Sequence, residues 1–254
     1  MTSILVSNDD GIEGPGLLPL KQALERVGEV TLIAPDKQWT ASGHAKTMHK
    51  PLRIREVTLT DGSLAYSSNG APSDCVALAI LGILPNLPDL VVSGINLGAN
   101  VGSDITYSGT LAAAFEGTVF GIPSIAANLD TYDNGDFDYA AHFVTRLAAE
   151  VLARGLPQRT LLNVNVPNVP QDKIAGVEIT RLGRRLYRDQ LVKRKDPRGR
   201  DYYWIGGERP TGDTNQEGTD IWALAANRVS ITPLHLDLTD RDFIEELKAW
   251  RIGP

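Results

Sequence analysis

The sequence predicts an α/β fold, a mostly parallel β-sheet enclosed between two layers of helices. Three observations carry that expectation. Short apolar runs such as Ile4-Leu5-Val6 and Leu90-Val91-Val92 lack polar alternation, which marks strands buried on both faces. Segments with helical spacing separate these runs, and such alternation builds parallel sheets through right-handed crossovers. Several runs end directly in Asp-, Asn- and Gly-rich loops, and the carboxyl ends of strands are where open α/β sheets bind ligands.

The elements follow in order. The first strand spans Ile4 to Ser7 and stops at Asn8-Asp9-Asp10-Gly11. Residues 15–27 place Leu17, Leu18, Leu20, Leu24 and Val27 at helical spacing. Val30 to Ala34 is the second strand, followed by a small-residue polar loop from Lys37 to about His49. Residues 51–68 hold one or two further strands, and Ser73 is placed to cap a helix reaching about Gly82. Asp89 to Ser93 and Pro123 to Ala127 are buried strands, with an Ala-rich helix opened by Ser108 between them. Residues 137–153 form an amphipathic helix, and Leu161 to Val166 closes the series. The last third differs, because residues 181–200 carry nine basic and two acidic residues among strand-like segments. That composition suits a long hairpin or arm, too polar for its own core, that packs on another subunit. Arg228 to Pro233 reads as a strand, and Thr239 to Trp250 as a terminal helix capped by Thr239. The division expected is a core of residues 1–180 and a dependent segment of residues 181–254.

Composition narrows the function. The 254 residues are 42% hydrophobic and 22% charged, enough for one large core. A net charge of −6 disfavours sequence-independent binding to a nucleic-acid polymer. The single cysteine, Cys75, excludes an internal disulfide framework and a multi-cysteine metal cage. No apolar run approaches the roughly 20 residues that a membrane helix requires, and the N-terminus lacks a signal-peptide pattern. A cytoplasmic protein without a membrane partner is expected. The sequence has no GxxxxGK[ST], no GxGxxG after the first strand and no GxSxG, which argues against P-loop, dinucleotide-binding and serine-hydrolase chemistry. Haloacid-dehalogenase-type phosphatases place two aspartates two residues apart after the first strand, and that spacing holds Asn8 and Asp10 here.

The candidate chemistry begins at Asp9 and Asp10. Adjacent carboxylates at a buried strand exit repel, and each is driven toward its neutral form unless a cation compensates. Oxygen ligands favour magnesium, manganese or calcium over zinc. Gln38, Thr40 and Ser42 in the second loop offer neutral oxygens, while His44 reads as a hydrogen-bonded loop histidine. The loop from Ser93 to Gly102 adds Asn96 and Asn100, with glycines that let the backbone approach a ligand. Tyr107-Ser108-Gly109-Thr110 opens a helix, and free N–H groups at a helix start bind anions. Glu116, further along that helix, reads as a packing or surface residue.

Four blocks together resemble one family. They are Ile4 to Gly11, Ala34-Pro35-Asp36 with Ser42-Gly43-His44, Ser93 to Asn100, and Tyr107 to Thr110 with Ala112, Ala113 and Glu116. Gly218-Thr219-Asp220, Ile231 to Leu234 and Asp237 to Thr239 extend the match through the tail. The chain thus resembles the SurE family of stationary-phase survival proteins, which are metal-dependent 5′/3′-nucleotidases. The resemblance implies a Rossmann-like three-layer core and a C-terminal arm exchanged within a homodimer or homotetramer. It implies one divalent cation per subunit, magnesium or manganese, held by Asp9, Asp10, Thr40 and Asn96. The family has Ser at the position of Thr40, so Ser42 is the rival hydroxyl. Asp9, Asp10 and Asn8 are then the catalytic residues, with Asn96, Asn100, Ser108, Gly109 and Thr110 around the phosphate. The substrate class is nucleoside 5′- and 3′-monophosphates, with short polyphosphate as an addition. Water and the Asp9 carboxylate both stay open as nucleophile, and a non-catalytic nucleotide-binding protein on the same fold is the alternative.

Overall fold

The computed structural model describes residues 2–207 and 210–253. Its first half holds β1 (Ser3–Ser7), α1 (Leu17–Leu24), β2 (Glu29–Pro35), β3 (Ile54–Thr58), β4 (Leu64–Ser68), α2 (Pro72–Leu78), β5 (Leu90–Leu97) and α3 (Gly109–Val119). Then come β6 (Ser124–Asp130), α4 (Asp138–Arg154), β7 (Thr160–Pro167) and β8 (Gly176–Ile179). The remainder holds β9 (Arg185–Leu186), β10 (Asp189–Lys195), β11 (Asp201–Gly207), β12 (Thr211–Gly212), α5 (Asp220–Ala225), β13 (Arg228–His235) and α6 (Arg241–Lys248).

One sheet of nine strands runs in the order β3-β4-β2-β1-β5-β6-β7-β13-β8. The six strands from β4 to β7 are parallel. β3 pairs antiparallel at one edge, and β13 lies antiparallel to β7 and parallel to β8. The chain after residue 227 therefore returns to the main sheet. The last third also makes two ribbons, a β10–β11 hairpin and a short β9–β12 pair.

Alternation along β1 explains the three layers. Ile4 and Val6 join a core with Leu17 and Leu20 of α1 and Val144 and Ala148 of α4. Leu5 faces the opposite way, with Cys75 and Val76 of α2 and Ala113 of α3. Each face of the parallel sheet is thus covered by helices, the condition under which such sheets are stable. Among the described residues, no helix is long and apolar enough to cross a membrane.

Three local expectations are corrected. Ser73 lies inside α2 and donates its hydroxyl to the Ala45 carbonyl. The helix start is served by Asp74, which accepts the Ala71 N–H at 2.8 Å, and by Pro72, whose missing N–H costs nothing at a first turn. The regular helix ends at Leu78, and a wider π-type turn carries the chain from Ala79 to Ile83. The cap of α6 is Asp240, which accepts the Phe243 N–H at 3.0 Å, rather than Thr239. The α5 helix was not anticipated, although Thr219 caps it by accepting the Trp222 N–H at 3.2 Å. Ser108 does cap α3, accepting the Leu111 N–H at 3.1 Å.

Strand order positions the site. The chain passes outward from β1 to β2 and β4, then crosses back to β5 on the other side of β1. The crevice at the carboxyl ends of β1 and β5 is the topological switch point. Asp220 braces its outer wall. This fully buried carboxylate accepts N–H groups of Gly102 at 2.8 Å, Gly183 at 2.7 Å and Ile221 at 2.8 Å. It therefore ties the turn after β5, the start of the arm and α5 together. Replacing Asp220 by Ala strands two buried donors and one half-buried donor and should cost about 3 kcal/mol, read as a lower urea midpoint with an unchanged m-value.

Candidate active site

Asp9 and Asp10 leave β1 where the strand stops. Gly11, at φ +92°, allows the sharp turn that follows. Asn8 closes that turn with both ends of its amide, donating to the Gly11 carbonyl at 2.9 Å and accepting the Gly11 N–H at 3.1 Å. Its side chain is thus committed to shaping the loop.

Asp9 is 5% exposed, and burial pushes its carboxyl up to about 6. A hydrogen bond from the Thr110 hydroxyl pulls the other way, and the adjacent Asp10 charge pushes it further up. Burial also raises Asp10, opposed by the Leu97 N–H at 3.3 Å and the Gln38 amide at 3.5 Å. Among the described residues no cationic side chain offsets either charge. Gly109 packs against the pair, and a Cβ there would lie 2.6 Å from Asp9 Cβ and 2.9 Å from Asp9 Oδ2. Only glycine lets α3 start this close to β1.

The carboxylates open into a cavity of about 470 Å³. Asp9, Asp10, Thr40, Asn96, Asn100 and Ser108 all line it, so loops after β1, β2 and β5 and the start of α3 converge as the sequence suggested. Asn8, Gly109 and Thr110 do not line it. Thr110 lies behind Asp9 as its hydrogen-bond partner, and Gly109 supplies clearance. Among the features the sequence reading missed, Tyr132 and the arm residues Arg185, Tyr187 and Pro210 form the far wall. There Arg185 pairs with Asp104 at 2.9 Å, and the Tyr187 hydroxyl bonds the same carboxylate. A larger depression of about 700 Å³ lies between α1 and the end of β3, lined by apolar and threonine side chains apart from Glu13; the paired acids are not there.

The donor set suits a hard divalent cation. Among the described residues no third His, Cys, Asp or Glu completes a cluster, so further ligands must be neutral oxygens or water. Asn96 donates its amide nitrogen to the Gly98 carbonyl at 2.8 Å, which leaves Oδ1 available. The Ser42 hydroxyl is buried without a hydrogen-bond partner, 3.0 Å from where a Cβ on Gly109 would sit beside Asp9. Thr40 lines the cavity instead. The two hydroxyls thus divide the two marks of a ligand, an orphaned oxygen and a cavity position.

A family model described as survival protein SurE matches residues 4–189. The 5′-nucleotidase SurE of Herpetosiphon aurantiacus is 54% identical over 249 residues, covering 97% of each chain. The protein of the same name from Geobacter sulfurreducens is 49% identical, covering 99% of this chain and 94% of its own. The chain belongs to the SurE family. The crystal structure of the SurE protein from Aquifex aeolicus superposes with a TM-score of 0.84 at 42% identity, over 97% of this chain and 98% of that one.

One residue of the SurE match holds the second loop in place. Glu116, fully buried on α3, pairs with His44 Nε2 at 2.9 Å and Lys46 Nζ at 2.8 Å. Burial on its own would raise its carboxyl, but the hydrogen bonds from His44 and Lys46 and the Lys46 charge hold it below the usual range. His44 also stacks on Phe115, and Asp74 accepts the Thr47 N–H at 3.1 Å. These contacts anchor the segment that carries Thr40 and Ser42. Exchanging Glu116 for Gln removes the carboxylate that both His44 and Lys46 meet, at constant shape. Backbone amides of residues 42–47 should then exchange at least about tenfold faster, with α3 itself unchanged, by hydrogen-exchange mass spectrometry.

Proposed function

We propose that this chain is a divalent-metal-dependent phosphomonoesterase that converts nucleoside 5′-monophosphates to nucleoside and phosphate. The observation that carries the reading is the buried Asp9–Asp10 pair, which lacks a cationic partner among the described residues and faces a cavity at the switch point. The 5′-nucleotidase names of relatives about half identical over nearly the whole chain point the same way. Asp9, Asp10, the Asn96 oxygen and the hydroxyl of Thr40 or Ser42 would hold magnesium or manganese. A cation so held supplies Lewis-acid stabilisation of the phosphate and lowers the pKa of water.

This chain's own groups do the rest. The water oxygen bonds phosphorus, the bond to the ribose oxygen breaks, and a proton released from water ends on the departing hydroxyl. Water is favoured over Asp9 as nucleophile, because Asp9 would already serve as a ligand to the cation and is fixed in place by the Thr110 hydrogen bond. Ser108 stands at the N-terminus of α3, where free N–H groups and the helix dipole favour a phosphate. Tyr107, Tyr132 and Tyr187 line the outer cavity with rings that suit a base of any sequence. Thr110 and Asn8 act through Asp9 and the loop turn. Hydrolysis of 3′-monophosphates and short polyphosphate uses the same phosphate site.

The exposed hairpin supports assembly through a second copy of the chain. Leu191 is 66% exposed, Trp204 63% and Ile205 78%, a burden that subunit exchange removes. A homodimer or homotetramer should therefore appear in light scattering, and Trp204→Glu with Ile205→Glu should shift it toward the monomer.

The enzyme reading is tested by phosphate release from AMP and GMP. Release should require manganese or magnesium and stop with EDTA, and Asp9→Asn or Asp10→Asn should each lower kcat by at least about 100-fold. A chain inactive with every divalent ion would sink it. Thr40→Val and Ser42→Ala identify the hydroxyl ligand: the one that weakens manganese binding about tenfold by calorimetry is the coordinating residue.

A further inference from the structure

The far wall of the cavity carries a charged cluster that phosphate hydrolysis does not use. Asp104 stands in a short 3₁₀ turn, Gly102–Thr106, between β5 and α3. The Tyr187 hydroxyl donates to its Oδ1, and Arg185 Nε lies 2.9 Å from its Oδ2. Arg185 and Tyr187 are separated by Leu186 alone at β9, so both project from the arm to one side. A Cβ on Gly102 would lie 2.5 Å from the Gly183 carbonyl oxygen, so glycine there lets the turn pack directly on the root of the arm. Asp104, Arg185 and Tyr187 all line the cavity, and the Asp104 side chain is 19% exposed.

Charge decides what this wall can bind. Among the described residues, Arg185 is the one cationic side chain that lines the cavity, and taken alone it would suit a second phosphate. It is already matched by Asp104, and its charge also acts on Asp130, where it opposes the rise that burial causes. Two carboxylates against one guanidinium leave the wall negative. Such a wall repels phosphate and attracts hydrogen-bond donors. The acceptor has no orientation to settle, because both oxygens of a carboxylate accept, and each keeps a lone pair after Tyr187 and Arg185 have taken one.

Position selects the donor. The Tyr107 N–H donates to the Asp104 carbonyl at 3.0 Å, so the chain turns once between Asp104 and Ser108, a rise of about 6–8 Å. Ser108 caps α3 at the cavity, where the nucleotidase reading puts the phosphate. In a nucleoside 5′-monophosphate a single methylene joins the ester oxygen to the ribose ring, which brings the 2′- and 3′-hydroxyls within that range. We propose that Asp104 accepts hydrogen bonds from the ribose hydroxyls and so favours ribonucleotides, and that Arg185 and Tyr187 are positioning residues that fix its carboxylate. This rests on the nucleotidase reading above. No bond forms or breaks at Asp104, and its contribution lies in binding. An acidic side chain that hydrogen-bonds a ribose hydroxyl is the chemistry that dinucleotide-binding folds use.

The first measurement needs only the wild type. With manganese present, kcat/KM for AMP should exceed that for 2′,3′-dideoxy-AMP at least about tenfold, with most of the difference in KM. Asp104→Asn keeps the shape and removes the charge. It should cut kcat/KM for AMP about tenfold and leave dideoxy-AMP and p-nitrophenyl phosphate, which lacks a ribose, within about threefold of wild type. Tyr187→Phe keeps the ring and should shrink the preference for AMP over dideoxy-AMP about threefold. A cluster that merely braces the arm predicts a different pattern, because damage at the arm root would slow every substrate alike. That uniform loss, or a wild type that treats AMP and dideoxy-AMP equally, overturns the role of Asp104 alone. A wild type that releases phosphate from none of these substrates overturns the nucleotidase reading and this role with it.

Discussion

Two neighbouring carboxylates at the end of a hydrophobic strand impose a demand that shapes the surroundings of β1. Burial disfavours their charge, the Asp10 charge pushes Asp9 further, and the described residues supply no cationic side chain in compensation. The fold tolerates the arrangement because donors are brought to the carboxylates from distant segments, Thr110 to Asp9 and the Leu97 N–H to Asp10. Those donors moderate the shift without removing it. The residual positive-charge deficit is what a divalent ion would fill, and it explains why neutral rather than charged side chains gather around the pair.

Loops that meet at one point must be held at many. The second loop is pinned by Glu116 and Asp74, the turn after β5 by Asp220, and the Asn100 segment by buried amides. Each anchor is a buried polar group with its hydrogen bonds made, which rigidifies a loop that apolar packing alone would leave free to slide. The apolar clusters of the two sheet faces hold the layers together. The polar anchors decide where the loop ends lie. Stability and geometry are thus carried by different residues, joined at positions such as Gly109, where helix and carboxylate touch.

What was legible in the sequence follows this division. The buried strands and the capped start of α3 are local signals, since an apolar run or a Ser ahead of a helix declares itself within a few residues. The loops of the candidate site were legible because Asp9 and Asp10 follow β1, Asn96 stands near the end of β5 and Ser108 opens a helix. The anchors were not. Asp220 bonds residues 118 and 37 positions away, and nothing near it in the chain announces those partners. Asn163 and Asn165 did leave a trace, because two amides alternating with Leu162 and Val164 in a buried strand must find partners inside the protein. Thr110 was read as a phosphate ligand from its place at a helix start; three-dimensional packing turns its hydroxyl to Asp9 instead.

The role of Thr110 changes how the start of α3 is understood. A helix N-terminus offers positive potential, and the usual inference assigns all of it to a bound anion. Here Asp9 is itself an anion drawn to that end, bonded by Thr110 and packed on Gly109, with Ser108 left at the cavity. In the proposed reaction the helix serves two negative groups, the fixed carboxylate and an arriving phosphate. Sharing one dipole between them keeps the carboxylate and the phosphate site in a constant relation, because both are registered to the same turn of α3. The separation between the two is then tied to the start of α3, where Ser108 caps the helix and Asp9 packs against Gly109.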